Sequence, residues 1–305
     1  MLKQINQCAL CGSDQDLWEH VFKLNNGQDL VRCKKCGLYF NNFQRTDFEI
    51  IYPNDYFVKD EGIGSGGGFF NYSALENGIQ KMYKFAQIFI LAKSDPQIQY
   101  NLMDIGCSYG FFLKLFQNEK NFSLLGVELN ELAAEEAKKK GINVCHTPFE
   151  ELPDTEKYDY ITFFELIEHT QSPVEIMRKI NNLMKPGGYA IFSTPDIGSI
   201  YFKILGKNWS SIHPAVHNYY FNKSTAKMLA HLADFEVVSI HKSQIMWSDF
   251  FHFRKRLSEM FPVLKKILKV TSFMDPWVLP FFNGGDLRVI VRKKTDPGPQ
   301  IINGT

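Results

Sequence analysis

The segment that most constrains the fold of this chain is a short apolar strand that leads directly into a turn containing two glycines, at residues 101–113. An apolar, helix-like pattern follows the turn. Such a turn at the carboxyl end of a parallel strand brings the backbone close to a ligand, and open α/β sheets bind nucleotides at that edge. A second apolar run begins at Leu124 and ends in Glu128, whose carboxylate can accept both hydroxyls of a ribose. Together these features predict a nucleotide-binding α/β domain.

The glycine spacing narrows the class of nucleotide. The turn reads G-x-S-x-G from Gly106 to Gly110, not the G-x-G-x-x-G of a dinucleotide site, and Asp104 stands two residues before the first glycine. A carboxylate is unfavourable beside a pyrophosphate, but it suits a sulfonium cofactor that carries a free amino group. The same letters could mark Ser108 as the nucleophile of a hydrolase. No good arrangement of Asp and His follows it, and Glu128 would then be unexplained, so we favour the sulfonium cofactor.

Three more motifs follow the ribose acid in a fixed order: a segment after the third strand, a fourth strand with an E-x-x-x-x-P tail, and a glycine turn into a fifth strand. They occupy residues 147–153, 158–173 and 183–192. Together with the first glycine turn and Glu128, this series resembles the class I S-adenosylmethionine-dependent methyltransferases. The resemblance covers roughly residues 74–241 and resumes at residues 286–293.

The resemblance implies both a fold and a cofactor. The fold is of the α/β class, a Rossmann-like seven-stranded methyltransferase sheet whose last strand is antiparallel, and the cofactor is S-adenosylmethionine. The implied cofactor-binding residues are Asp104, Gly106, Cys107, Ser108, Tyr109, Gly110, Glu128, Leu129, Phe149, Phe164 and Glu165. Ser108 stands where glycine is commoner in the family. Phe149 could equally pack under a helix, and Phe164 lies in an apolar strand, where most aromatic residues belong to the core.

The acceptor side is predicted from its histidines. Methyl transfer is an in-line displacement, so the enzyme positions the acceptor and supplies a base when the acceptor carries a proton. His169 follows the fourth strand, and His217, Tyr219 and Tyr220 follow the fifth, in the region that covers the acceptor in the family. We expect His169 or His217 to be the base. In an extended segment His217 and Tyr219 would face one side, so Tyr219 is expected to orient the acceptor. The alternatives are that His169 is a surface histidine on the next helix and that the cluster around His217 only packs the loop.

Two C-x-x-C-G pairs near the amino terminus predict a separate metal module. The predicted ligands are Cys8, Cys11, Cys33 and Cys36. Two intervening residues let both thiolates of a pair reach one ion, and the glycine lets the backbone curl around it. Two pairs complete a closed tetrahedral site that suits structural zinc, and the segment resembles a zinc ribbon. Unrelated thiols, disulfides or a redox pair fit the doubled spacing less well.

These motifs divide the chain into parts. We expect a zinc-ribbon module at residues 1–45, a glycine-rich linker at 46–73, the methyltransferase domain at 74–294 and a disordered tail at 295–305. The domain should begin with a helix that ends near Lys93.

Residues 244–284 form a predicted lid-like insertion over the substrate pocket. They are rich in aromatic and basic residues, and one helical face groups Val263, Leu264, Ile267 and Leu268 opposite lysines. Such a helix could touch anionic lipid, which would make the protein a peripheral membrane partner. We favour the simpler interpretation, in which the apolar face packs on its own domain.

Composition limits the partners. A formal net charge of +1 over 305 residues provides no field that would attract nucleic acid, and none is expected as a partner. The first residues lack the apolar run of a signal peptide, and no stretch reaches the roughly 18–20 apolar residues that would span a bilayer. We therefore expect a cytoplasmic protein.

The combined motifs predict an enzyme that moves a methyl group from S-adenosylmethionine to a small polar acceptor. A ribbon beside such a domain resembles bacterial methyltransferases that act on sugars and surface-polysaccharide intermediates, which implies a saccharide acceptor. Two alternatives stay open. One is an O-methyltransferase of quinone-like or phenolic acceptors, and the other is a non-enzymatic zinc-ribbon scaffold that keeps the cofactor fold as a relic.

Overall fold

The computed structural model describes residues 2–45, 75–249, 265–274 and 278–295, together with the single positions 254, 258 and 263. The predicted linker and the predicted tail beyond residue 295 lie outside the described residues.

Strands and helices alternate through most of the described chain. The strands are β1 (Leu2–Gln4), β2 (Trp18–Lys23), β3 (Asp29–Cys33), β4 (Tyr39–Asn41), β5 (Phe43–Arg45), β6 (Tyr100–Ile105), β7 (Phe122–Glu128), β8 (Val144–His146), β9 (Tyr158–Phe164), β10 (Met184–Pro195), β11 (Tyr219–Tyr220), β12 (Phe235–Asp249) and β13 (Val278–Lys293). The α-helices are α1 (Glu76–Lys93), α2 (Glu131–Lys139), α3 (Pro173–Leu183), α4 (Ile200–Leu205), α5 (Lys223–Leu232) and α6 (Lys265–Lys269).

A seven-stranded sheet forms the centre of the larger domain, in the order β12-β13-β10-β9-β6-β7-β8. The five strands from β10 to β8 are parallel, whereas β13 runs antiparallel to both β10 and β12. Met103, Ile161 and Phe192 on the central strands are fully buried because the sheet is covered on both faces. The predicted Rossmann-like methyltransferase sheet with an antiparallel last strand is confirmed.

The helices follow local signals in the sequence, with one exception. The predicted entry helix is α1, Pro173 occupies the first turn of α3, and α5 begins with a capping box between Asn222 and Thr225. The glycine turn, however, leads only into a single 3₁₀ turn, Leu113–Phe116, and not into a long helix. Only residues 111–121 separate the turn from β7, so a longer helix has no room.

The amino-terminal module consists of two small sheets. The first pairs β1 with β5, and the second has the order β11-β4-β3-β2. Because β11 lies in the methyltransferase domain, the ribbon sheet is completed by a strand from the other part of the chain. The core is also shared, since buried Phe40 of the module belongs to the same apolar cluster as Tyr219 and Phe221.

The predicted insertion begins and ends as regular strand. β12 and β13 remain paired as far as Asp249 opposite Val278, so both arms of this hairpin extend into the segment predicted as a lid. Val263 and Ile267 are 82% and 67% exposed, and therefore do not pack on the domain as the sequence suggested. Much of the segment between the arms lies outside the described residues.

Within the described parts of the chain, no helix combines the length and the hydropathy that crossing a bilayer requires.

Candidate active site

The carboxyl end of β6 leads into the glycine turn through three residues with positive φ angles. Gly106 and Gly110 have φ angles of 70° and 72°, and Ser108 has a φ angle of 49°. A Cβ atom on Gly106 would lie 2.8 Å from Leu166 Cδ1, and one on Gly110 would lie 2.8 Å from Ile142 Cγ1. Both positions therefore need glycine, for its left-handed backbone and for space.

Two buried carboxyl groups flank this turn. Glu128 accepts hydrogen bonds from the backbone amides of Ser108 and Asn130, each 2.8 Å long. Asp104 accepts a 2.6 Å hydrogen bond from the Thr162 hydroxyl. Burial raises the pKa of Glu128 above its ordinary value and raises the pKa of Asp104 to about 7. One carboxyl group is thus fixed by backbone amides, and the charge of the other changes near neutral pH.

The residues of the turn fit S-adenosylmethionine. The Ser108 hydroxyl oxygen is buried, and it has no hydrogen-bond partner among the described residues. Such a group is unfavourable unless a ligand or water satisfies it. A carboxylate has about four acceptor positions, so Glu128 can still accept ribose hydroxyls beside its two amide bonds. Asp104 offers the negative charge that an ammonium group requires.

Three other predicted cofactor-binding residues lie in or near the turn, and their surroundings differ. Cys107 is buried against Gly126, where an added Cβ would lie 2.5 Å from the Cys107 Sγ. Tyr109 packs edge-on against Phe111, with ring centroids 5.7 Å apart. Leu129, which follows the ribose acid, is 37% exposed. Of these residues, Leu129 has the surface that a ligand could contact.

The remaining predicted cofactor residues are mostly part of the core. Phe149 is buried, with Lys179 Nζ 5.6 Å from its ring centroid. Phe164 stacks on Tyr83 of α1, with ring centroids 3.9 Å apart. Glu165 follows β9 with a φ angle of 49°, which turns the chain sharply at the sheet edge. Cofactor contact by these three residues remains a prediction.

A second group of polar side chains lies beyond the ends of β9 and β10. Glu165 accepts a 2.6 Å hydrogen bond from the Ser193 hydroxyl, and Glu168 accepts a 3.0 Å hydrogen bond from the Thr194 hydroxyl. Burial raises the pKa of Glu168 to about 8 and holds the pKa of Glu165 well above its usual range, and the negative charge of Asp286 raises both. At neutral pH these carboxyl groups are largely protonated.

The structure brings the two predicted base candidates together at this acidic group. The rings of His169 and His217 meet edge to face, with centroids 4.7 Å apart. His169 Nδ1 lies 3.1 Å from the Val216 carbonyl oxygen, and His217 Nδ1 lies 3.0 Å from that of Ser211. Burial lowers the pKa of His169 to about 4 and places the pKa of His217 well below its usual range. Both rings are therefore neutral at pH 7.

Glu168 links the histidine pair to the acids. Its Oε1 lies 3.8 Å from His169 Nε2. Glu168, His169 and His217 also offer one ligand atom each, all within 4.8 Å of one another, so the three side chains could hold a metal ion.

The alternation in the sequence suggested that Tyr219 and His217 face the same side. In the structure they do not share a side. The Tyr219 hydroxyl donates a 2.8 Å hydrogen bond to the Gln171 carbonyl oxygen and a 3.2 Å hydrogen bond to Gln44 Oε1 of the module. Tyr220 instead lies beside His217, with ring centroids 5.9 Å apart. The period of two fails because β11 begins only at Tyr219, after a turn that ends in His217.

The four cysteines predicted as metal ligands converge. Their Sγ atoms lie within 4.8 Å of one another, and two pairs, Cys8 with Cys36 and Cys11 with Cys33, are 3.5 and 3.6 Å apart. A tetrahedral zinc site with Zn–S bonds of about 2.3 Å requires sulfurs about 3.8 Å apart. The glycine that follows each pair has a positive φ, as the knuckles require. All four thiols are free, so the set fits zinc and not a disulfide.

Three polar residues of the two sites escaped prediction. Thr162 is the only serine or threonine in β9 and donates a hydrogen bond to Asp104, so its position in an apolar strand could have indicated a role. Asp286 was assigned only to the last strand. Asn41, which bonds to the His217 turn, carries no signal because its partner lies 176 positions away in the sequence.

A family described as "Methyltransferase domain" matches residues 75–240, which include the glycine turn, both flanking carboxyl groups and the histidine pair. The chain belongs to the class I S-adenosylmethionine-dependent methyltransferases.

Curated relatives of this methyltransferase match over the same domain. The ubiquinone biosynthesis O-methyltransferase of Acinetobacter baylyi is 29% identical over 119 residues, which cover 35% of this chain and 50% of the relative. The enzyme of that name from Vibrio vulnificus is 28% identical over 127 residues, covering 39% and 54%. The chain thus spans about half the length of these relatives.

Solved structures share the fold at low sequence identity. A protein of Galdieria sulphuraria assigned as a sarcosine dimethylglycine methyltransferase is 12% identical, with a TM-score of 0.50 over 81% of this chain and 97% of that chain. At this identity the likeness concerns the fold alone.

Proposed function

We propose that this methyltransferase transfers the methyl group to a small polar acceptor bound at the group formed by Glu165, Glu168, His169 and His217. The proposal rests on the position of this group relative to the glycine turn. β6 and β9 are neighbouring parallel strands, with Asp104 opposite Thr162, so the glycine turn and the histidine pair follow the same edge of the sheet. Ligands of open α/β sheets bind along that edge.

Bound S-adenosylmethionine supplies an electrophilic methyl group on a sulfonium, and the protein must position the acceptor and receive its proton. The carbonyl oxygen at Nδ1 of His217 favours the tautomer with hydrogen on Nδ1, which leaves Nε2 as the basic nitrogen. His169 Nδ1 faces the Val216 carbonyl oxygen in the same way, and the His169 ring also hydrogen-bonds the backbone of Glu165. Glu168, when ionised, stabilises the positive charge that the His169 ring carries after it accepts a proton.

The acceptor proposed first is a saccharide, because several buried carboxyl and hydroxyl groups can hydrogen-bond a polyhydroxylated ligand. A phenolic or quinone-like acceptor is the second candidate, and the ubiquinone O-methyltransferases among the relatives favour it. The two classes differ in what the pocket must offer, since a phenol requires an apolar slot and a sugar requires paired hydrogen-bond groups.

The test has two stages. Native mass spectrometry and calorimetry should show one S-adenosylmethionine per chain, and absence of binding would contradict the proposal. Transfer of a labelled methyl group is then measured with sugar nucleotides and with catechols, comparing the unmodified protein with His169→Ala and His217→Ala. At least one substitution should lower turnover by about 10²–10⁴-fold while the cofactor dissociation constant changes little. Normal turnover in both variants would remove the histidines from the reaction.

We also propose that the four cysteines bind one structural zinc ion. The convergence of four free thiols on one point supports it. Metal analysis of the purified protein should give one zinc per chain, and a content near zero after expression with added zinc would contradict it.

A further inference from the structure

The amino-terminal module and the acceptor-side loop share one sheet. β4 pairs antiparallel with β11, with Phe40 opposite Tyr219. β4 directly follows the second cysteine knuckle, in which the amide of Cys33 donates a 2.9 Å hydrogen bond to the Leu38 carbonyl oxygen. A metal ion held by the knuckle therefore fixes β4, and β4 in turn fixes β11.

Asn41, at the end of β4, makes the most direct contact with the loop. It is fully buried. Its Nδ2 donates a 2.7 Å hydrogen bond to the His217 carbonyl oxygen and a longer one, 3.4 Å, to that of Pro214. Its backbone amide donates a 3.1 Å hydrogen bond to the Asn218 carbonyl oxygen. One residue of the module thus holds three carbonyl groups of the turn that carries His217.

The same turn holds the segment that carries the other acceptor-side groups. The amides of Asn218 and Tyr219 both donate to the Glu168 carbonyl oxygen, at 2.8 and 3.1 Å. The Asn218 side chain donates a 3.0 Å hydrogen bond to the His169 carbonyl oxygen. The contacts therefore run without interruption from the cysteine knuckle to both histidines.

From these contacts we infer that Asn41 is a positioning residue for the acceptor site. The metal-loaded ribbon module, through Asn41 and β4, sets the distance and orientation between His169 and His217, and we call this arrangement the clamp. The meaning of this geometry for catalysis rests on the proposed function. Among the described residues, the hydrogen bonds from the module to the methyltransferase domain reach the acceptor side, so we infer that the clamp acts there. A displacement of about 1 Å at reacting groups is enough to change rates by large factors.

Asn42 provides a matched control for Asn41. It has the same side chain one position along, but it bonds within the module, accepting a 2.9 Å hydrogen bond from the Asp29 amide and donating to the Asp29 carboxylate. Asn42→Ala should disturb the ribbon without releasing the loop, whereas Asn41→Ala should release the loop.

Hydrogen exchange on the full chain measures the clamp without a known acceptor. In zinc-loaded Asn41→Ala, exchange of the amides in residues 213–221 should accelerate on the order of tenfold, because buried hydrogen bonds to the turn are lost. Zinc content and exchange in residues 100–128 should stay as in the unmodified protein. Removing zinc with a chelator should accelerate exchange both in the module and in residues 213–221.

The chemical shifts of the histidine ring nitrogens provide a second measurement, which a general loss of stability would not change. In ¹⁵N-histidine spectra, Asn41→Ala should shift the ring nitrogens of His169 and His217 and leave those of exposed His20 and His231 in place. Asn42→Ala should leave the ring nitrogens of His169 and His217 in place and should shift only those of His20, whose Nε2 lies 3.3 Å from the Asp29 carboxylate that Asn42 binds. Unchanged exchange and unchanged ring signals in Asn41→Ala, or equal effects in the two variants, would overturn the inference. Calorimetry with S-adenosylmethionine tests the proposed function separately from the inference about Asn41. Failed cofactor binding would contradict the proposed function and would not affect the exchange result.

Discussion

The cofactor side and the acceptor side of this methyltransferase are built in different ways. The cofactor side is a nearly continuous piece of chain, in which the turn after β6 receives the Glu128 carboxylate from the next strand. The acceptor side is assembled from segments far apart, with Glu165 and His169 after β9, His217 after α4, and Asn41 from the amino-terminal module. One site is therefore set by local backbone geometry, and the other by the docking of two parts of the molecule.

Loss of the metal site separates the two sides most strongly. In Cys33→Ser the module should lose the proposed zinc ion and unfold, because structural zinc supplies about 10–16 kcal/mol of apparent binding free energy in zinc-finger peptides. Metal analysis should show loss of zinc, and thermal melting should show a lowered or split transition. The dissociation constant of S-adenosylmethionine, measured by calorimetry, should change less than about threefold, which corresponds to less than the net contribution of one ordinary hydrogen bond.

Simultaneous loss of zinc and of cofactor binding in Cys33→Ser would show that the two sides are one cooperative unit. Cys145→Ser is the matched control, because Cys145 is a half-buried thiol in β8 and lies outside the four-sulfur cluster.

The converse substitution is Glu128→Gln. The amide group that replaces the carboxylate turns one acceptor into a donor, which faces the Ser108 or Asn130 amide and weakens the ribose contact. Loss of charged hydrogen bonds of this kind costs about 2–3 kcal/mol, so cofactor affinity should fall roughly 30- to 150-fold in calorimetry. Glu131→Gln, at an exposed glutamate of α2, is the control. Accelerated exchange in residues 213–221 of Glu128→Gln would contradict the separation of the two sides.

A smaller effect follows from the titration of Asp104. Burial raises the pKa of this carboxyl group to about 7, and only its ionised form attracts an ammonium group. Cofactor affinity should therefore rise between pH 6 and pH 8, by up to about tenfold per pH unit below the pKa. Asp104→Asn should bind more weakly, with a flatter pH profile. An unchanged slope in that variant would assign the titration to another group.

The same shift has the opposite sign for stability without cofactor. Because the folded state binds the Asp104 proton more tightly than the unfolded state, this group stabilises the fold fully below the ordinary carboxyl pKa of 3.8. That contribution is lost as the pH rises towards 7. Denaturant unfolding of the unmodified protein and of Asp104→Asn at pH 5 and pH 8 measures the difference.

The sequence predicted best where adjacent residues form the structure. The glycine turn and the four convergent cysteines follow from short-range spacing, and the seven-stranded sheet follows from the resemblance to the methyltransferases; the structure has all of them as expected. The helix expected after Gly110 is only a single 3₁₀ turn, because few residues separate the glycine turn from the next strand. The face assigned to Tyr219 was wrong because a turn precedes β11 and interrupts the alternation.

The acceptor side was predictable only in part. His169 and His217 stood out because histidines after the fourth and fifth strands are noticeable, and the structure places their rings in contact. The contribution of Asn41 depends on a pairing between distant segments, which no local pattern encodes. Whether the predicted residues contact the cofactor and the acceptor stays a prediction.

The borrowed strand of the ribbon sheet also has a consequence for biosynthesis. The partner of β4 is β11, in which Tyr219 pairs with Phe40 and follows it by about 180 residues. At translation rates of about 5–20 residues per second, the module, once synthesised, must wait roughly 10–35 s for the strand that covers its edge. During that interval the edge is open to other extended chains. Early capture of a metal ion by the cysteines would keep the nascent module folded while the remainder of the protein is made.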